Sequence, residues 1–194
     1  MSTSVFSPVS SLVSGFPVVG FSGCRSCPVA SAAASAFASA LPASVPVFVG
    51  CAGGVDLAVR SARPAARVFR VSGGASPSFG GASGRAAFAA RSAAFLSALS
   101  ASGGLLVSFP SRACPSGCAP SRSFAGFGSG SWGSVAFALG LGLPVLVLVP
   151  ASLGSAFPAP ARVRSRFSLV ASLPSGSWWF AAAVASPSAP LLLF

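Results

Sequence analysis

Short, near-continuous apolar runs recur along the chain at 17–21, 45–49, 67–71, 105–109 and 143–149, each followed directly by Gly, Ser or Pro. A strand with one face in water alternates apolar and polar residues. These runs do not, and strands of that kind belong in a parallel sheet covered on both faces. Between them lie Ala-rich segments of helical propensity at 29–41, 55–62, 85–101 and 134–141. In the third, Phe88, Arg91, Phe95 and Leu99 follow helical spacing. Alternation of this kind predicts an α/β three-layer sandwich around a mostly parallel sheet of five to six strands. With 194 residues the chain can bury one core of ordinary size.

Residues 1–16 form an N-terminal segment without a clear place, 17–150 the domain proper, and 151–194 a C-terminal extension. In that extension, Arg162-Val163-Arg164-Ser165-Arg166 alternates like an edge strand with solvated arginines. Trp178-Trp179-Phe180 and residues 191–194 are expected to pack back on the sheet or on a second subunit. An uncharged stretch at 135–157 is hydropathic enough to suggest a membrane span. Gly140, Gly142, Pro144, Pro150 and Gly154 divide it, however, and a buried helix followed by a strand is the better reading. The first charge is Arg25, so no basic leader precedes an apolar segment, and a cytoplasmic setting is expected.

The alphabet is narrow. The chain has no His, Tyr, Lys, Glu, Asn, Gln or Ile; Thr3 is its only Thr, Asp56 its only acid, and all 12 basic residues are Arg, for a net charge of +11. A Ser-His-Asp triad, a His-ligated metal, a carboxylate pair and a Schiff-base lysine are thereby excluded. Apart from Met1, Thr3 and Asp56, every residue type present can be encoded without adenine at the first two codon positions. Such an adenine-depleted frame leaves Arg as the only charged side chain to hand, so basicity alone is weaker support for nucleic-acid binding than usual. It also points to selection on the gene or transcript, as in a mobile element or a genetic-conflict system. Asp56 breaks the bias, which singles it out.

Three Gly-rich loops carry the functional signal. Gly20-Phe21-Ser22-Gly23-Cys24-Arg25-Ser26 runs from a strand into a helix, where backbone amides and a helix start suit a phosphate, with Arg25 as counter-charge. Gly50-Cys51-Ala52-Gly53-Gly54-Val55-Asp56 places Asp56 in the first turn of a helix. There it either complements the helix dipole or accepts hydrogen bonds from a ribose or base. Gly126-Phe127-Gly128-Ser129-Gly130-Ser131-Trp132-Gly133-Ser134 opens another helix, with Trp132 either stacking on a base or filling the core. Cys24-x-x-Cys27 and Cys114-x-x-x-Cys118 would meet in a Cys-only zinc site if the first and fourth strands are neighbours. The competing reading is free thiols, Cys51 included.

The segments 18–26, 47–58 and 128–147 resemble the G-S-R, S-G-G-A-x-G-x-D-x-x-A and G-x-G-[ST]-x-x-x-x-x-A-x-x-x-x-x-P-V motifs of the SLOG superfamily. This is a Rossmann-like group that includes the DNA-processing protein A and Lonely-guy families. The resemblance spans about 17–150. It implies binding of a nucleotide or single-stranded nucleic acid at the three loops, with Arg25, Asp56 and Ser131 at ligand-facing positions. Together with the reading of the loops themselves, the expected ligand contacts are Gly23, Arg25, Ser26, Gly53, Gly54, Asp56, Gly128, Ser129, Gly130, Ser131 and Trp132, and no cofactor is expected. Arg85, Arg91, Arg112 and Arg122 would extend the site along a strand. The catalytic Glu of the phosphoribohydrolase signature P-G-G-x-G-T-x-x-E has no counterpart here. An N-glycosidic hydrolase would therefore have to rely on Asp56 alone. A structural or regulatory protein without a ligand is the third reading, and its mark would be an obstructed pocket; a homo-oligomer is compatible with any of them.

Overall fold

The structure, a computed structural model, describes residues 9–71, 82–154 and 156–182. Its elements in chain order are α1 (Ser10–Val13), β1 (Val19–Gly23), α2 (Pro28–Ala40), β2 (Val47–Gly50), α3 (Val55–Ala62), β3 (Arg67–Phe69) and α4 (Ala82–Ala101). There follow β4 (Leu105–Phe109), α5 (Gly130–Gly140), β5 (Val145–Val149), α6 (Ala161–Arg164), β6 (Phe167–Ser172) and β7 (Trp178–Ala182). One sheet takes all the strands in the order β3-β2-β1-β4-β5-β7-β6. The first five are parallel, with Val19 in register with both Val47 and Leu105, and Leu106 with Val145.

Alternate strand residues separate into two cores. Val19, Phe21, Val49, Leu105, Val107, Leu146 and Trp179 face α1, α2 and α3, meeting Val13, Phe37 and Val59. Phe48, Leu106, Val145, Val147 and Phe180 face α4, α5 and α6, meeting Phe95, Leu99, Trp132, Val135 and Val163. The result is an α/β fold in three layers, with helices on both faces of a mixed sheet. Uninterrupted apolar strand sequence follows from that double covering. The uncharged stretch at 135–157 contributes most of α5 and all of β5, both buried. Among the described residues no helix is long and apolar enough to cross a membrane.

The sheet departs from the sequence expectation in three ways. Among the described residues it has seven strands rather than five to six. Two of them are antiparallel to their neighbours: β7 pairs with β5, Leu148 opposite Trp179, and β6 with β7. The β6–β7 pairing follows from their short connection, closed by Leu173 N–H donating to the Ser177 carbonyl at 2.8 Å; a tight hairpin can only join antiparallel strands. Lastly, 162–166 is not an edge strand. Arg162 and Arg164 lie in α6, and Arg162 is held by tertiary contacts, its Nε donating to the Cys118 carbonyl at 3.0 Å and its Nη2 to Ser116. Residues 191–194 lie outside the described residues.

Candidate functional site

From β1 the chain moves outward to β2 and β3, then crosses over the sheet to β4 and moves outward the other way to β5. Loops leaving β1 and β4 therefore diverge at their carboxyl ends, and a crevice opens between them, where sheets of this kind bind ligands. A cavity of about 850 Å³ occupies that position. The β1 loop contributes Gly23, Arg25 and Ser26, the approach to α5 contributes Gly128, Ser129, Gly130 and Ser131, and Asp56 reaches in from α3. One face of α4 forms a wall with Arg85, Phe88, Ala89, Ser92 and Phe95, residues three and four apart and hence on one side of a helix.

The lining carries four guanidinium groups, from Arg25, Arg85, Arg91 and Arg112, against the single carboxylate of Asp56. That carboxylate is committed. Asp56 is buried, and its Oδ2 accepts the Ala52 N–H and an Arg91 Nη1–H, both at 3.2 Å. Arg60 anchors the same turn by donating to the Gly50 carbonyl at 2.7 Å and the Ala52 carbonyl at 3.0 Å. Burial pushes the Asp56 carboxyl above the usual carboxylate range, against the opposing pull of Arg91 and the Ala52 N–H. The pair can lie over the end of β2 only because residue 50 is Gly: a Cβ there would collide with Arg91 Nη1 and Asp56 Oδ2.

Arg25 and Arg91 both sit over the Phe88 ring, their Cζ atoms 4.5 and 5.6 Å from its centroid. Partial burial lowers the Arg25 pKa from its ordinary value, and the neighbouring Arg91 charge adds to this. Arg112 is tethered to the α5 approach at both ends. Its Nη2 donates to the Gly128 carbonyl, and its own carbonyl accepts the Trp132 Nε1–H at 2.8 Å. Phe127 and Gly128 both have positive φ, Phe127 being the only non-glycine with one among the described residues. The chain thereby turns so that α5 begins at the cavity. Ser129 does not cap that helix with its side chain, so its first amides keep their hydrogens for another acceptor.

Several expected site residues lie elsewhere. Trp132 is fully buried and stands edge-on to Phe157 at 5.7 Å, so its core reading holds and it has no free face for a base. Gly53 and Gly54 do not line the cavity. Gly54, at φ 62°, is where the β2 loop presses on the β1 loop, and a Cβ would strike the Cys24 and Arg25 carbonyls. Arg122 is exposed and outside the lining. Although β1 and β4 are neighbours, the described residues hold no group of three Cys, His, Asp or Glu able to bind a metal. Cys24 approaches the Cys27 carbonyl at 3.9 Å, Cys114 and Cys118 are buried in the core, and all five cysteines are free thiols.

Phe88, Ser92 and Ser111 entered the site without being singled out as ligand contacts. The α4 stripe left a signal, the spacing of Arg85, Phe88, Ser92 and Phe95. Ser111 left none. No family model matches the chain, and no curated protein or solved structure matches it.

Proposed function

We propose that this chain binds a nucleotide, or a nucleotide end of single-stranded nucleic acid, through its phosphate in the cavity at the ends of β1 and β4. The reading includes its sequence resemblance to the Rossmann-like SLOG superfamily. The observation that carries it is convergence: two loops read from sequence as phosphate loops, Gly23–Ser26 and Gly128–Ser131, line one cavity beside four guanidinium groups. Backbone amides at the start of α5 and the Arg25 and Arg112 guanidiniums would take the phosphate, with the Phe88 ring at the wall supporting the Arg25 guanidinium.

The hydrolase reading gains nothing from the site. Its one carboxylate is paired with Arg91 and bonded to the Ala52 N–H, with no second acid or base beside it. An open cavity likewise does not favour a ligand-free structural role. Titration of a labelled single-stranded oligonucleotide at several salt concentrations tests the proposal. If three phosphates are neutralised, log K should fall against log salt with a slope of about −2. Arg112→Gln should weaken binding about tenfold by removing a charge-assisted contact. The exposed Arg164→Gln should leave it unchanged. A flat salt response with equal affinities for both variants would refute the proposal.

A further inference from the structure

The stretch Cys24-Arg25-Ser26-Cys27 lies where β1 passes into α2, and both of its ends are pinned. The Cys24 N–H donates to the Phe109 carbonyl of β4, and the Cys24 carbonyl accepts the Val55 N–H of α3, both at 3.1 Å. Cys27 immediately precedes α2, and its carbonyl accepts the Ser31 N–H at 3.0 Å. Between these anchors the chain bends at Arg25 and Ser26. The two cysteines thereby come back toward each other. The Cys24 thiol donates to the Cys27 carbonyl at 3.9 Å, and the two thiols act directly on one another.

Both are half-buried free thiols, and Cys24 lines the cavity. Cys27 does not cap α2 with its side chain, so capping does not account for it. Cys114 and Cys118 also touch each other, but they lie in the core at 9% and 0% exposure, where thiols are inert toward a reagent in solution. Cys51 is the rival partner for Cys24: it is half-buried too, and close enough to act on the Arg25 guanidinium. Two accessible thiols three residues apart at a strand-to-helix turn form the arrangement in which a dithiol and its disulfide interconvert.

We propose that Cys24 and Cys27 form a thiol–disulfide exchange site whose reaction partner is a small-molecule disulfide of the glutathione class, RSSR. One protein thiolate attacks RSSR, forming a protein–S–S–R bond and expelling RS⁻. The second protein thiolate attacks the protein sulfur of that bond, closing Cys24–Cys27 and expelling the other RS⁻. The two protons of the protein thiols end on two RSH, and two electrons pass from the protein pair to RSSR. Excess thiol reverses both steps. The site stands on the cysteine pair, whatever anion fills the cavity.

Arg25 lies between the two cysteines and is the first basic residue of the chain, so trypsin cuts inside the proposed bond. The full chain is equilibrated with excess oxidised glutathione, its remaining thiols are blocked with N-ethylmaleimide under denaturing conditions, and it is digested with trypsin. Residues 1–25 and 26–60 then stay joined only through a disulfide. The joined pair should exceed glutathione mixed disulfides on these fragments by about tenfold or more, and should vanish in dithiothreitol. Because residues 26–60 also hold Cys51, the joined pair should persist in Cys51→Ser. Cys24→Ser and Cys27→Ser should each lose it and carry one glutathione on the cysteine that remains. Should a variant not fold, fragmentation of the wild-type joined pair assigns the bond to Cys27 or Cys51 and decides alone. Thiols untouched by oxidised glutathione, a wild-type chain that stops at mixed disulfides, or a joined pair that survives Cys27→Ser would overturn the site. None of these outcomes touches the phosphate proposal, which oligonucleotide binding decides.

Discussion

Asp56 stands out in the sequence because it departs from an alphabet that otherwise supplies no acid. Its partner could not be read there, since Arg91 lies 35 residues away on another helix. The remaining arginines show what a chain without Lys, His, Asn or Gln does for long-range donors. Arg63 donates to the carbonyls of Leu41 and Val45, both at 2.8 Å, closing the end of α2, while Arg60 and Arg162 serve other turns in the same way. Part of the basicity is thus structural, as the narrow alphabet suggested, and part is gathered in the cavity. Burying an ion pair gives little net stability, and the raised Asp56 pKa has a consequence of defined sign. Between the ordinary Asp value of about 4 and the raised one, the folded state holds a proton that the unfolded state has released. Stability should therefore increase as pH falls through the raised value toward the ordinary one. Urea midpoints should rise over that interval in the wild type and stay flatter in Asp56→Asn. A wild-type midpoint that drops on acidification would contradict this.

At the scale of elements, β4 spans Leu105–Phe109 and α3 spans Val55–Ala62 just as the apolar and Ala-rich runs indicated, and the other parallel strands agree to within a few residues. Local periodicity suffices there because each element buries both sides or one clear stripe. It fails at 162–166, where three arginines two residues apart are compatible with a strand or a single helical turn, and the choice falls to the distant Ser116 and Cys118 carbonyls. Trp132 shows the same limit. Its position in a Gly/Ser loop left stacking on a base and filling the core equally open, and the start of α5 at Gly130 decides for the core by turning it inward onto Phe157. Trp132→Phe removes the hydrogen bond to Arg112 and should lower unfolding free energy by about 1–2 kcal/mol through the unsatisfied carbonyl. It should also loosen Arg112 and weaken phosphate binding. Unchanged urea midpoint and affinity would show that the tether does neither.

For the whole molecule, the switch in strand order between β1 and β4 brings the first and third Gly-rich loops together at one cavity. The alternating pattern of runs implied a parallel sheet but not which strands neighbour which, and two of the three expected loops reach the cavity with their glycines. The third supplies only Ala52 and Asp56. The far edge was legible as a Trp-Trp-Phe cluster returning to the sheet, without its direction. Trp179 is fully buried against Phe37 and Phe109, at centroid distances of 5.4 and 5.8 Å, so the last strands complete the same core. Trp179→Ala should destabilise the entire domain by about 3–5 kcal/mol, seen as a single cooperative transition shifted to lower urea. A separate early transition confined to the C-terminal strands would instead mark them as an independent unit.

The most direct measurement is the amide proton–nitrogen NMR spectrum of the full chain during titration with thymidine 5′-monophosphate. Saturable shifts concentrated at residues 23–26 and 128–131, with the Nε–H signals of Arg25 and Arg91 moving alongside, are the predicted result. Shifts gathered instead around the exposed Arg122, Arg164 and Arg166, or a spectrum unmoved at saturating ligand, would contradict a phosphate site at the junction of β1 and β4.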